Sequence, residues 1–330
     1  MRSPDSRSCQ VVLQQWNKSH SAYYRLCEAD LRWILHEQNW LYYRPTQLAG
    51  THVIYAVASV DGIKAGLSAR SLWLTLWGEI AEKSEDQFVA SLCKLAMSEG
   101  KTRLSVGGDE FHFTPGVPLE SEGGLRLASA LARAGFKGSE EVDFVGDVNS
   151  PVVGKYIADA QTLACEKNWH WLAVNSESER DELESFLSRE FPGRWTREFQ
   201  FWRSRGDVRR ALWMVMKDGN GVLGFSRLGL RSRLLDPDQG WSPASLKLPL
   251  SDNLQTARNP NDSFLGPIGV ASHLRGQGAG RAVLGLVLDS LKGLNAGRVC
   301  IDWTNAIKYY YPLHFAQVRK FGTATMLTEN

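Results

Sequence analysis

The sequence predicts a two-domain α/β protein in which each domain is a mixed, largely antiparallel sheet flanked by helices. Three observations predict it. A chain of 330 residues exceeds what one hydrophobic core usually serves, so two domains of roughly 150 residues are expected. Both halves alternate short β-branched or aromatic runs with stretches of helical period. In the second half a glycine cluster lies between a strand pattern and a helix pattern, which is the form of an anion-binding turn.

In the first half, residues 53–60 read as a strand, Asp61-Gly62 as a hairpin turn and residues 71–77 as a second β-rich run. Ser84 and Gln87 have capping-box spacing, and Phe88, Leu92, Leu95 and Ala96 recur at helical intervals, which predicts a helix over 85–97. A strand is expected at 102–106, a loop at 113–118, a helix over 125–133 closed by Gly135, and a returning strand at 141–148. Residues 147–151 hold turn formers without periodicity and are read as the junction between domains 1–148 and 149–330.

In the second half, Ser176 and Glu179 form a capping box for a helix through Leu183, Phe186 and Leu187, which Phe191-Pro192-Gly193 stops. Residues 209–216 and 222–230 flank Asp218-Gly219-Asn220-Gly221, a strong hairpin signal. The polar segment 231–262 is too long for a plain connection and reads as a functional lid or a mobile loop. A strand at 264–270 follows, and Val283, Leu284, Val287, Leu288 and Leu291 then mark a helix.

Composition narrows the function. The 38 basic and 36 acidic residues leave a formal charge of +2, with no basic run interleaved with aromatics, so a small molecule is the expected partner and nucleic acid is not. Five scattered cysteines, Cys9, Cys27, Cys93, Cys165 and Cys300, include no C-x-x-C pair, which argues against a metal site or disulfide framework and for a reducing compartment. No stretch reaches the ~18 apolar residues of a membrane span and no leader pattern opens the chain, so a cytoplasmic protein without membrane contact is expected. Sequence leaves monomer and homodimer open.

The stretch that carries chemistry is Gly269-Val270-Ala271-Ser272-His273-Leu274-Arg275-Gly276-Gln277-Gly278-Ala279-Gly280-Arg281. Glycines before a helix let backbone N–H groups converge on phosphate oxygens, and Arg275 and Arg281 can add charge-assisted contacts. A P-loop would need a lysine and a hydroxyl residue at fixed spacing, and neither is present. A dinucleotide fingerprint fails too: Gly276-Gln277-Gly278 is followed by Arg281, and Gly278-Ala279-Gly280 by Val283, where the third glycine belongs.

What remains, Arg275-x-x-Gly278-x-Gly280 after a strand ending in Gly269-Val270, resembles the acetyl-coenzyme A signature of the GNAT superfamily of N-acetyltransferases. Downstream, a strand pattern at 298–304, Asn305, a short helix with Tyr309, Tyr310 and Tyr311, and Leu313-His314-Phe315 are similar to the family's asparagine, tyrosine and leucine-glycine-phenylalanine succession. His314 stands where glycine is usual, and Ser272 replaces a common proline. The first half, with no R-x-x-G-x-G loop between Trp77 and Glu85, resembles the degenerate copy of a tandem GNAT protein, and residues 113–118 and Arg133-Ala134-Gly135-Phe136 fit that picture.

The resemblance implies an N-acetyltransferase using acetyl-coenzyme A, without a metal, on the primary amine of a small molecule, with an amino sugar such as glucosamine as leading acceptor. A catalytically silent coenzyme A sensor and a protein-lysine acetyltransferase are the alternatives. It puts the cofactor against Ile268, Gly269, Val270, Arg275, Gly276, Gln277, Gly278, Ala279, Gly280, Arg281, Asn305 and Tyr310. A backbone N–H near 268–270 would serve the oxygen that gains charge. Tyr310 would protonate the departing thiolate, against amphipathic packing as the competing role for any of the three tyrosines. Asn305 would bond the pantetheine or cap a helix. Asp302, between Ile301 and Trp303, would accept the amine's proton or serve a salt bridge. Glu198, Asp252 and Asp262 are weaker candidates for that base. Trp195 and Trp241, with Trp202, can stack on a sugar face or pack in a core, and His273 and His314 are read as structural.

Overall fold

The computed structural model describes residues 41–48, 51–58, 68–71, 85–87, 89, 90, 93, 94, 97, 103–106, 116–120, 122–204, 212–230 and 261–327. The chain divides into two compact units, one of Asp143–Asp238 with Arg258–Gln317, the other of Met1–Val142, Gln239–Ala257 and Val318–Asn330.

In the unit that starts the chain, strands β1 (Leu41–Leu48), β2 (Thr51–Ala58) and β3 (Ser68–Ser71) form an antiparallel sheet in that order. The run read at 53–60 is therefore the second arm of a hairpin whose first arm sequence reasoning did not mark; the Asp61-Gly62 turn and residues 72–77 lie outside the described residues. Residues 85–87, 89, 90, 93, 94 and 97 are helical, as expected, and Glu85 meets Arg126 at 2.9 Å. Ser84 and residues 113–115 lie outside the described residues. Strand β4 (Arg103–Val106) and the two-residue β5 (Val117–Pro118) each pair antiparallel with the C-terminal strand β12 (Ala316–Leu327). Helix α1 (Glu122–Arg133) ends at Gly135, whose φ of +90° is the left-handed conformation that favours glycine there. Strand β6 (Lys137–Asp147) follows.

The other unit begins at Asp143, within β6, and its first helix starts where the sequence offered only turn formers. Ser150 is the N-cap and Pro151 the first residue of α2 (Pro151–Glu166), and Val153, Tyr156, Ile157, Ala160 and Ala164 are its buried stripe. Residues 147–151 are thus a helix start as well as a turn. Strand β7 (His170–Ala173) and helix α4 (Arg194–Ser204) are likewise additions to the sequence reading. Between them, α3 (Glu177–Glu190) has both hydrogen bonds of the expected capping box, buries Leu183, Phe186 and Leu187, and stops at Phe191. The Asp218-to-Gly221 turn joins β8 (Leu212–Asp218) to β9 (Gly221–Leu230), and β10 (Asp262–Val270) lies against β9. Helix α5 (Ala279–Gly293) leads to β11 (Arg298–Thr304), the short α6 (Ile307–Tyr310) and a 3-10 turn, Tyr311–Leu313.

Strand order in this unit runs β11-β10-β9-β8-β7; β10 and β11 pair in parallel, the other pairs antiparallel. Alternation along the strands fills both faces of the sheet. Leu183, Phe186, Phe199, Trp213, Val215 and Phe225 form one apolar cluster, carried by α3, α4, β8 and β9. Ala164, Met216, Leu223, Ala282, Val283 and Leu286 form the other, carried by α2, α5 and the same two strands. The mixed sheet between helices is the predicted fold class.

Helices α2 and α5 approach so closely at Gly285 that a Cβ there would lie 2.2 Å from Ala160 Cβ. Only hydrogen fits, and the contact fixes where α5 begins. Gly285→Val is expected to lower stability by about 1–3 kcal/mol through overpacking, measured as a lowered midpoint of thermal unfolding.

Candidate functional site

The site is organised by the parting of two neighbouring strands. At one end, β10 and β11 are clamped by a bidentate pair from Arg298 to the buried Asp262 at 2.9 and 2.7 Å, with the two residues in register. Asp262, a weaker base candidate, is committed to that ion pair. Parallel pairing continues to Leu265 opposite Ile301 and stops.

On the β10 side the departure is a bulge. Leu265 pairs with Leu228 and Ile268 with Ser226, so Gly266 and Pro267 together face the single residue Arg227. On the β11 side Trp303 takes φ +48°, the left-handed region that a bulky side chain rarely adopts, and its N–H donates to Asp143 Oδ1 at 2.8 Å. Asp143 is fully buried.

Past the bulge, the Ala271 N–H donates to the Leu223 carbonyl on β9 at 2.8 Å. Strand alternation then turns the N–H groups of Ile268 and Val270 away from β9, to the side that β11 has left. Gly269 packs on aromatic rings: a Cβ there would lie 2.6 Å from Phe191 Cζ and 2.9 Å from Phe225 Cε1. Asp302 stands beside the opening, its Oδ1 3.5 Å from where a Cβ on Gly266 would lie.

Beyond β10 the chain makes a 3-10 turn, Ser272–Leu274, opened by the Ser272 N–H donating to Glu190 Oε2 at 2.8 Å. That bond holds the Glu190 carboxyl below the usual carboxylate range. Gly276 and Gly278 have φ of +78° and +86°, left-handed values that let the loop turn into α5 with Gly278 as N-cap. No side chain caps this helix, and its first internal backbone bond is made by the Ala282 N–H. The N–H groups of Ala279, Gly280 and Arg281 are therefore the first-turn donors that an anion can take, with the positive end of the helix dipole behind them. Arg275, Gln277 and Arg281 are exposed around this end; Arg275 also lies over the Phe191 ring and Arg281 over the Tyr156 ring, at 5.7 and 5.5 Å. Gln277 is turned back onto the His273 carbonyl at 2.7 Å. The donor set suits the pyrophosphate of a nucleotide-like cofactor.

Across the opening are the tyrosines. Tyr309 donates its hydroxyl to the Gly280 carbonyl, tying α6 to the first turn of α5. Tyr310 is buried, 3% exposed, at a centroid distance of 5.8 Å from Phe144. Its phenol is pushed well up, first by burial and next by the Asp302 carboxylate, with the Thr304 hydroxyl opposing. Burial raises Tyr309 and Tyr156 as well. The structure thus brings Tyr310, Asp302 and the parted strands together. Tyr311, Asn305, His273 and His314 are exposed, and the N-cap of α6 is Ala306 rather than Asn305. His314, with φ +54°, occupies the left-handed turn where glycine is usual. Trp195 packs on Phe191 and Phe225 at 4.9 and 5.8 Å, within an apolar cluster. Trp241 and Asp252 lie outside the described residues, as do residues 231–260 and the Trp202 side chain.

Arg227, Asp143 and Glu190 escaped the sequence reading. Arg227 and Asp143 carried a signal: each is a charged residue inside an apolar strand run, the argument that singled out Asp302. Glu190 carried none.

With this geometry in hand, comparison with known proteins is informative at the level of fold. The chain matches no protein-family model and no curated protein sequence. Among solved structures it is similar to a GCN5-related glucosamine N-acetyltransferase region of a fungal multi-domain GH3 beta-N-acetylglucosaminidase, at 18% identity and a TM-score of 0.75, covering 99% of this chain and 37% of that one. It spans little more than a third of that protein's length. A tandem GNAT protein from the clavulanic acid biosynthesis pathway matches at 13% identity and a TM-score of 0.55, over 100% of this chain and 98% of its own. A GCN5-related N-acetyltransferase from Sphaerobacter thermophilus gives the same identity and TM-score, over 100% and 95%. The chain has the fold of the GNAT N-acetyltransferases, including tandem ones.

The raised tyrosines have a consequence at high pH. Above about pH 10 an unfolded tyrosine ionises, while Tyr156, Tyr309 and Tyr310 keep their protons in the folded chain. The folded state then binds more protons than the unfolded, so stability falls as pH rises through and beyond this value. Denaturant titrations from pH 8 to 11 are expected to show that fall, made shallower by Tyr310→Phe.

Proposed function

We propose that the chain is an acetyl-coenzyme A-dependent N-acetyltransferase acting on the primary amine of a small molecule. One observation carries the reading: β10 and β11 part after Leu265 and Ile301, and past the parting strand alternation turns the N–H groups of Ile268 and Val270 away from β9, in a unit that also holds the uncapped start of α5 and the neighbouring Asp302 and Tyr310. Backbone donors, an anion-binding helix start and an acid–base pair are what acyl transfer from a phosphate-bearing thioester to an amine requires.

In this reading the amides of Ala279, Gly280 and Arg281, with Arg275, hold the pyrophosphate. Acetyl-coenzyme A would supply the activated acyl group. The Ile268 or Val270 N–H donates to the oxygen on which charge builds, an effect worth on the order of 10²-fold or more in rate. Asp302 accepts the proton of the attacking amine, directly or through water, because an alkylammonium has no lone pair with which to attack. Tyr310, kept protonated by burial and by the Asp302 charge, donates to the departing sulfur. The two roles are coupled. A proton arriving on Asp302 removes the negative charge that disfavours the phenolate, so acceptance at one group promotes donation at the other. An amino sugar such as glucosamine is the leading acceptor, a choice supported by the substrate named for the fungal region.

A second reading, a coenzyme A-binding module without turnover, draws on the 3% exposure of Tyr310, which suits packing as well as proton donation. A thiol-release assay with acetyl-coenzyme A and a panel of glucosamine, polyamines, amino acids and a lysine peptide separates them. Amine-dependent release, strongest with the amino sugar, is expected. Tyr310→Phe and Asp302→Asn should each lower turnover at least ~10-fold while coenzyme A binding, followed by calorimetry, is retained. Tight binding with silence across the panel would transfer the weight to the second reading.

A further inference from the structure

The bulge in β10 leaves the ladder short of partners. Gly266 and Pro267 face one residue where two ladder positions would be expected, and proline has no N–H to offer. The Gly266 carbonyl is satisfied from the side instead. Arg227, the residue directly across the bulge, donates through Nε to that carbonyl at 3.0 Å. The arginine is itself buried, 3% exposed, and its Nη1 is paired with Glu198 of α4, which is 1% exposed. Its guanidinium lies 5.3 Å from the Phe264 ring and 5.9 Å from the Trp213 ring, so the head group is fenced on two sides.

A buried ion pair is an uneconomical way to hold a sheet together, because desolvating two charges offsets much of their attraction and apolar residues of similar size serve stability as well or better. What the pair does here that apolar residues cannot is supply a rigid donor to one carbonyl. That carbonyl sits at the first position beyond the last β10–β11 pair, in a residue whose Cα lies near Asp302, a Cβ there being 3.5 Å from its Oδ1, and the Ile268 and Val270 N–H groups follow it. Its orientation fixes the direction in which the next residues leave the sheet.

We propose that Arg227 and Glu198 are positioning residues for acyl transfer: the pair locks the Gly266 carbonyl and thereby sets the aim of the Ile268 and Val270 N–H groups and their distance from Asp302. The inference rests on the acetyltransferase reading above, and neither residue touches the reacting atoms.

The test uses the double variant Arg227→Met with Glu198→Leu, which removes both charges together, and the variant Arg227→Lys, which keeps the ion pair but lacks the fork that serves carboxylate and carbonyl at once. Each is assayed for turnover, for coenzyme A affinity by calorimetry, and for the amide signals of Ile268 and Val270 by NMR. Turnover about 10- to 100-fold lower, with coenzyme A affinity within about twofold and both amide signals moved, is expected of a misaimed but intact site. Turnover within about twofold of the parent, or a loss that follows weakened coenzyme A binding while the amide signals stay put, would overturn the proposal. If the double variant does not fold, Arg227→Lys supplies the same readouts. Should the parent acetylate no amine, the acetyltransferase reading fails by itself. The amide signals then decide whether the pair aims these groups, moved signals supporting it and unmoved ones refuting it.

Discussion

A backbone inside a sheet has its N–H and C=O groups taken on both sides, and the unit of Asp143–Asp238 with Arg258–Gln317 is arranged around a place where that accounting is suspended. Strands β10 and β11 are joined as far as Leu265 and Ile301 and then separate. Separation does not follow from poor pairing, since the ion pair between Asp262 and Arg298 draws the other end shut. It is held by buried charge on each flank. Arg227 bonds the Gly266 carbonyl on one strand, and Asp143 bonds the Trp303 N–H on the other. A left-handed tryptophan costs about 1–2 kcal/mol relative to ordinary backbone, so the bend at Trp303 exists because the Asp143 carboxylate and the surrounding packing impose it.

Everything else in this half can be read as support for that opening. The apolar cluster of α3 and α4 places Phe191 and Phe225 against Gly269, where a side chain would not fit. The opposite cluster holds Ala279, Ala282, Val283 and Leu286 of α5 against β8 and β9, and the close approach of Gly285 to Ala160 fixes the helix against α2. Glu190, at the end of α3, receives the Ser272 N–H, the second after β10, where the chain enters the 3-10 turn that leads to the glycines. Helices and loops with separate positions in the sequence thus converge on a few backbone groups.

Features carried by local pattern were legible before any coordinates. The capping box at Ser176 and Glu179, the Asp218-to-Gly221 turn, the strand ending at Val270 and the helix through Leu291 all follow from residues within a few positions of one another. Helix α2 was harder because its buried stripe of Val153, Tyr156 and Ile157 fades into Ala160 and Ala164, which give weak periodicity, and its Ser150-Pro151 start looks like a turn. Helix α4 mixes arginines with aromatics, and β12 contains glycine, threonine and alanine, so neither announces its type. At the site, Asp302 and Tyr310 were legible from flanking residues and from resemblance. The bonds that shape the opening were not: Asp143 and Trp303 are 160 positions apart, Glu190 and Ser272 are 82 apart, and nothing in a one-dimensional pattern joins them.

The Tyr309 hydroxyl adds a further property. A carbonyl oxygen has two lone pairs, so Gly280 can accept from Tyr309 without leaving the helical ladder. The turn that offers amides to an anion and the segment that carries Tyr310 are therefore fastened into one body before any ligand arrives. The ordering entropy of both is met during folding, so an anion seated at the helix start would leave less of the protein to order than it would against two independent loops. Through the same bond, whatever loosens the tyrosine segment would also loosen the first turn of α5.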